Sequence, residues 1–171
     1  IWTCAMYGGL DDAEEAAIAD YLDNGGRLLL SGPEILWEID PAENEFVQNY
    51  LRVVGKEDDV GTAFVAGVEG DPITHGLRID FDDLYLVEGT DSLVLAEGAH
   101  PLFLTDEGEP CALRYKGDHR LVFCAFMFEA IPNEVPSMLA AQGGEEEQIT
   151  IPMIVLGRIT YYLGDPLEVK V

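Results

Sequence analysis

Most side chains in this sequence that could do chemistry are carboxylates. In Asp80-Phe81-Asp82-Asp83, Asp80 and Asp82 share one side of an extended segment and Asp83 stands next to them. Oxygen ligands grouped in this way suit calcium, which makes Asp80, Asp82 and Asp83 the candidate metal ligands. Glu57-Asp58-Asp59 and the group Asp40, Glu43 and Glu45 are further acidic clusters. None of them falls in a D-x-[DN]-x-[DN]-G loop. With 33 acids in the chain, clusters arise without selection for a site, and a solvated acidic face is the preferred reading. The three histidines read as surface or turn residues: His75 in a turn-rich connector, His100 before Pro101, and His119 beside Asp118. Cys4, Cys111 and Cys124 cannot all pair with one another. Cys4 and Cys124 lie in apolar runs that suit small buried side chains, and a Cys111–Cys124 bridge would join neighbouring strands. No cysteine or histidine spacing fits a structural zinc site, and the glycine pairs form no phosphate-binding loop.

The charge balance excludes some partners. Nine basic residues against 33 acids give a net charge of -24. Such a surface repels nucleic acid backbones and anionic lipid surfaces. No apolar run has the ~18–20 residues that a membrane-spanning helix needs. Acids scattered along the chain, with only three lysines, suit a salty or extracellular medium, although solubility alone would also explain them. The length of 171 residues fits a single domain spanning 1–171. The first residue is Ile1 and no signal-type segment follows, so the chain reads as an internal piece of a longer polypeptide.

The elements that would position these groups follow from the hydrophobic pattern. Residues 1–6 read as a buried strand. Asp11 and Asp12 open a helix through Leu22, and Asn24-Gly25-Gly26 closes it. Arg27–Leu30 is a second apolar strand, broken by Ser31-Gly32-Pro33. Strand, helix and strand over about thirty residues make a βαβ unit, which implies a parallel sheet covered on both faces. A second helix is predicted over Glu43–Leu51. Short strands follow at 52–54, 62–68, 84–87, 92–96, 102–105, 112–115 and 120–126, with hairpin turns at 106–110 and 116–118. Residues 133–144 read as a loop or insertion, and 149–163 as a final apolar helix.

Several runs, taken in order, carry a family likeness. They are Ile1-Trp2-Thr3-Cys4, then Ala19-Asp20-Tyr21-Leu22-Asp23-Asn24-Gly25-Gly26-Arg27, then Leu28-Leu29-Leu30-Ser31-Gly32-Pro33-Glu34. Further along come Val68-Glu69-Gly70-Asp71-Pro72-Ile73, the run Leu121 to Ile131, and the helix ending Tyr161-Tyr162-Leu163. The chain resembles the class I glutamine amidotransferase-like superfamily, and most of all its divergent domains attached to secreted peptidases and surface proteins. The resemblance implies an α/β fold: a three-layer flavodoxin-like sandwich with a mostly parallel sheet, here with a β-rich hairpin extension. It also implies that an amino-terminal strand-helix-strand unit is missing from this chain. The sheet would then be completed by the rest of the parent polypeptide or by another protein chain.

The resemblance places a nucleophile at a strand-to-helix elbow, where this sequence has Ser31. The family's acid falls on Glu129, while Met127 stands where the base is expected, and methionine accepts no proton. The reading that follows is a non-catalytic structural or binding module of a secreted or cell-surface protein. One alternative is a serine hydrolase using Ser31 and Glu129. Another is a carbohydrate or small-ligand binder using the aromatics Trp37, Tyr7 and Phe128 above the elbow.

Overall fold

The computed structural model describes residues 2–3, 9–81, 90–128 and 151–164. In chain order the elements are β1 (Trp2–Thr3), α1 (Asp12–Asp23), β2 (Arg27–Ser31), a π-helical turn (Val47–Leu51), β3 (Val53–Glu57), β4 (Phe64–Gly67), β5 (Arg78–Asp80), β6 (Ser92–Leu95), β7 (His100–Leu104), β8 (Pro110–Lys116), β9 (Arg120–Cys124) and α2 (Ile151–Leu163).

The start of α1 is encoded locally. The Glu14 amide donates to Asp11 Oδ1 at 2.8 Å, and the Asp11 amide donates to Glu14 Oε2 at 3.0 Å. This reciprocal pair satisfies two amides that a helix start leaves open. At the other end Gly25 takes φ 82°, a conformation that glycine adopts without strain, and the chain turns directly into β2.

Seven strands form one sheet in the order β1-β2-β9-β8-β7-β4-β5, and β3 and β6 pair separately as an antiparallel ribbon. Strands β1, β2 and β9 run parallel, with Trp2 opposite Leu30 and Leu30 opposite Phe123. The other four pairings of the large sheet are antiparallel. The fold is therefore mixed α/β, and the expectation of a mostly parallel sheet is corrected. Parallel neighbours need long crossovers, whereas β7, β8 and β9 are joined by short turns that force reversal.

Alternation along the central strands makes two cores. Leu28, Leu30, Leu113, Leu121 and Phe123 pack with Ile18 and Leu22 of α1 on one face. Leu29, Ala112, Val122 and Cys124 pack with Val155 and Ile159 of α2 on the other. Burial on both faces explains why β2 and β9 read as continuous apolar runs rather than alternating ones.

The helix expected over Glu43–Leu51 is present over residues 45–51. Its end is a π-helical turn that stops at Arg52, which has φ 62°. Upstream, the Asn44 side chain accepts from the Val47 amide, and Gln48 Nε2 donates to the Pro41 and Ala42 carbonyls. The Asn44 bond caps the start of the helical segment, and the Gln48 bonds tie the preceding turn to it. Cys111 and Cys124 are buried free thiols, and no bridge joins them. The register sets Cys124 opposite Ala112, one residue out of step with Cys111. Burial pushes the Cys124 thiol up to about 12, which leaves it unreactive at neutral pH. The strand expected at 84–87, the loop at 133–144 and Cys4 lie outside the described residues.

Candidate functional site

The carboxyl ends of β2 and β9 meet where the family likeness points. Ser31 ends β2 opposite Cys124, and the Gly32 amide donates to the Cys124 carbonyl at 3.1 Å. The Ser31 side chain is 0% exposed. Its hydroxyl donates to the Phe126 carbonyl at 2.8 Å and accepts from the Phe128 amide at 2.7 Å. Phe126 is itself anchored, its ring 5.8 Å from those of both Phe81 and Phe103. Ser31 thus ties the end of β2 to the segment that leaves β9.

The structure differs from the expected elbow. Residues 34–38 run as turns, with the Trp37 amide donating to the Glu34 carbonyl, so no helix begins behind Ser31. The hydroxyl therefore faces backbone groups rather than a helix N-terminus. Among the described residues no histidine touches Ser31. His119 precedes β9 at its far end, roughly 16 Å of strand away, and its Nε2 bonds the Tyr50 carbonyl at 2.9 Å. Burial lowers its pKa. His75 Nδ1 accepts from the Gly70 amide, and His100 opens β7 on the surface. Met127 is half-buried, and Glu129 lies outside the described residues.

Of the aromatics, Trp37 is 50% exposed, Phe128 is half-buried against the second core, and Tyr7 lies outside the described residues. The Asp80 carboxylate is held by Arg78 at 2.8 and 3.0 Å, and Arg78 also lies over the Phe64 ring. Asp82 and Asp83 are outside the described residues, and among the described ones no cluster of three metal-ligating side chains occurs.

An acidic group that sequence reasoning did not single out lies near the Ser31 staple. Asp91 is 4% exposed, and its amide donates to the Ala125 carbonyl at 3.4 Å. Its carboxylate accepts from the Asp59 amide at 3.2 Å. Lys56 pairs with Asp58 close by. Burial pushes the Asp91 carboxyl up to about 7, helped by Asp58 and Asp59 and opposed by the Asp59 amide and Lys56. Burial also raises Glu34, with the Asp59 and Asp58 charges adding to the effect. Asp91 directly precedes β6, and the pairing of Ser92 with Glu57 at the end of β3 is what brings Asp58 and Asp59 beside it.

Two expectations follow. Ser31→Ala leaves the Phe126 carbonyl and the Phe128 amide without this partner inside the protein. We expect a loss of about 2 kcal/mol, read as a fall of roughly 5 °C in Tm by calorimetry. For Asp91, the folded chain binds the proton more tightly than the unfolded chain does. Its contribution is therefore most favourable below about pH 4 and is lost as pH rises towards 7. Asp91→Asn should raise Tm at pH 8, leave it nearly unchanged at pH 4, and flatten the slope between. Parallel Tm–pH curves for the two proteins would count against this assignment.

No protein-family model matches the chain, and no curated protein matches its sequence. Solved structures do. The N-terminal domain of mmIFT52 matches with a TM-score of 0.55 and 14% identity, over 92% of this chain and 74% of that one. A ThuA-like protein from Bacteroides uniformis ATCC 8492 matches with a TM-score of 0.54 and 10% identity, over 94% and 67%. The exo-β-1,4-mannosidase Op5Man5 from Opitutaceae bacterium strain TAV5 gives 0.49 and 18% identity, over 73% of this chain. This chain spans 20% of that enzyme's length, and a likeness at that score carries no argument. At these identities the first two matches concern the fold alone.

Proposed function

We propose that this chain is a non-catalytic structural or binding module of a larger secreted or cell-surface protein or assembly. The observation that carries this reading is the Ser31 hydroxyl. It stands where the resemblance places a nucleophile, yet it is buried and holds two backbone groups. A nucleophile needs an exposed oxygen and a base within reach. The net charge of -24 supports an extracellular setting. With α1 on one face of β2 and β9 and α2 on the other, we read the layering as flavodoxin-like.

The parallel end of the sheet is where the module would join its surroundings. Among the described residues no strand pairs with β1 on the side away from β2. A strand edge of that kind is a template for further pairing. In our reading, polypeptide outside these residues continues the sheet there. A photo-crosslinker in place of Thr3, introduced in the parent polypeptide, should capture a segment outside residues 1–171. Products confined to this chain would overturn the reading.

Trp37 supports a second reading, since half of a large indole faces solvent. A carbohydrate or small-ligand surface built on it predicts quenching of its fluorescence by soluble oligosaccharides, lost in Trp37→Phe. A flat titration rules this reading out.

A further inference from the structure

The far end of the sheet from Ser31 holds a cleft of about 460 Å³, within the range of small-molecule sites. Its walls are the connector residues Pro72 and Ile73, the β8–β9 turn with Lys116 and Arg120, and the last turns of α2 with Arg158, Tyr161 and Tyr162. Three of the chain's nine basic residues line it, and none of its 33 acids does among the described residues. The concentration runs against the composition of the whole molecule.

The cations are set in place rather than scattered. Arg158 Nη1 donates to the Ile73 carbonyl at 2.9 Å and to the His75 carbonyl at 3.4 Å. Arg120 Nη1 donates to the Leu163 and Gly164 carbonyls at 3.2 Å, at the end of α2. Each guanidinium is thereby oriented through one nitrogen, and its fork carries further N–H donors besides. Lys116 is exposed and has no partner among the described residues. Two aromatic rings complete the wall: Tyr161 is 68% exposed, and the buried Tyr162 Oη, next to Arg114, makes no hydrogen bond of normal geometry. Oriented guanidiniums favour carboxylate or phosphate oxygens, and the two tyrosine rings with exposed Pro72 favour a flat apolar body.

We propose that this cleft binds a small organic anion, a carboxylate or phosphate carried on a planar ring. The site is separate from the Ser31 end and does not depend on the role proposed above.

The test is a chemical-shift titration of the full chain with phenyl phosphate and with phenylacetate. Inorganic phosphate serves as the anion alone and benzyl alcohol as the ring alone. The proposal expects saturable shifts confined to residues 72–73, 116–120 and 157–164 with at least one of the two ring-bearing anions. Which of them binds tells a phosphate ligand from a carboxylate. Inorganic phosphate and benzyl alcohol should bind at least about tenfold more weakly, since each lacks one half of the recognition. Lys116→Gln, on the surface, should weaken binding about tenfold with Tm unchanged. Arg158→Gln provides a second reading of the same loss. No saturable shift with either anion, inorganic phosphate binding as tightly as phenyl phosphate, or unchanged affinity in both variants would overturn the proposal.

Discussion

Asp71→Ala should lower stability by about 3–5 kcal/mol, because it strands a charge and two amides at once. The Asp71 side chain is 3% exposed, and its Oδ2 accepts from Arg114 Nε at 2.7 Å. Its Oδ1 accepts from the Ile73 and Thr74 amides at 2.8 and 3.1 Å. Arg114 lies on β8, with its guanidinium 5.5 Å from the centre of the Tyr162 ring on α2. One carboxylate therefore joins the 71–77 connector to the sheet and, through Arg114, to the last helix. Asp71→Asn keeps an oxygen for the amides and should cost less than Asp71→Ala. Replacing both partners, as in Asp71→Ala with Arg114→Met, should recover part of the loss, since no unpaired cation remains. Urea unfolding of the four proteins measures this. A double variant no more stable than Asp71→Ala would show that the pair does not act as described.

Phe123→Ala should cost about 3–5 kcal/mol, and Tm should fall by about 10 °C. Phe123 is fully buried at the centre of the sheet, between Leu30 of β2 and Leu113 of β8. Its ring is part of the core that also holds Ile18 and Leu22, so truncation opens a void beneath α1. Val94→Ala on β6 is the control, because Val94 is 58% exposed and should change stability by no more than about 0.5 kcal/mol. Calorimetry on both variants reads the difference directly. Equal effects would contradict the placement of the core.

Much of this architecture was legible in local chemistry. Asp11, Glu14 and Gly25 fix the ends of α1 through contacts a few residues apart. The apolar runs at 27–30 and 120–126 announced strands, and the turns at 106–110 and 116–118 announced the hairpins. What stayed hidden depends on partners distant in sequence. Asp71-Pro72 read as a turn, but its bond to Arg114 spans 43 residues. Ser31 was singled out as a nucleophile position, yet its bonds to Phe126 and Phe128 span 95 and 97 residues. β5 was missed because three residues carry too little pattern, and only pairing with β4 makes them a strand. The cationic cleft was invisible for the same reason: Lys116, Arg120 and Arg158 are unremarkable until α2 packs beside the β8–β9 turn.

In the proposed role Ser31 is a staple and not a nucleophile. Incubation of the folded protein with a fluorophosphonate probe, followed by intact-mass analysis, asks this directly. No adduct is expected on native protein, and no difference between the native chain and Ser31→Ala. Stoichiometric labelling mapped to Ser31, and absent in Ser31→Ala, would contradict it and bring back the hydrolase reading.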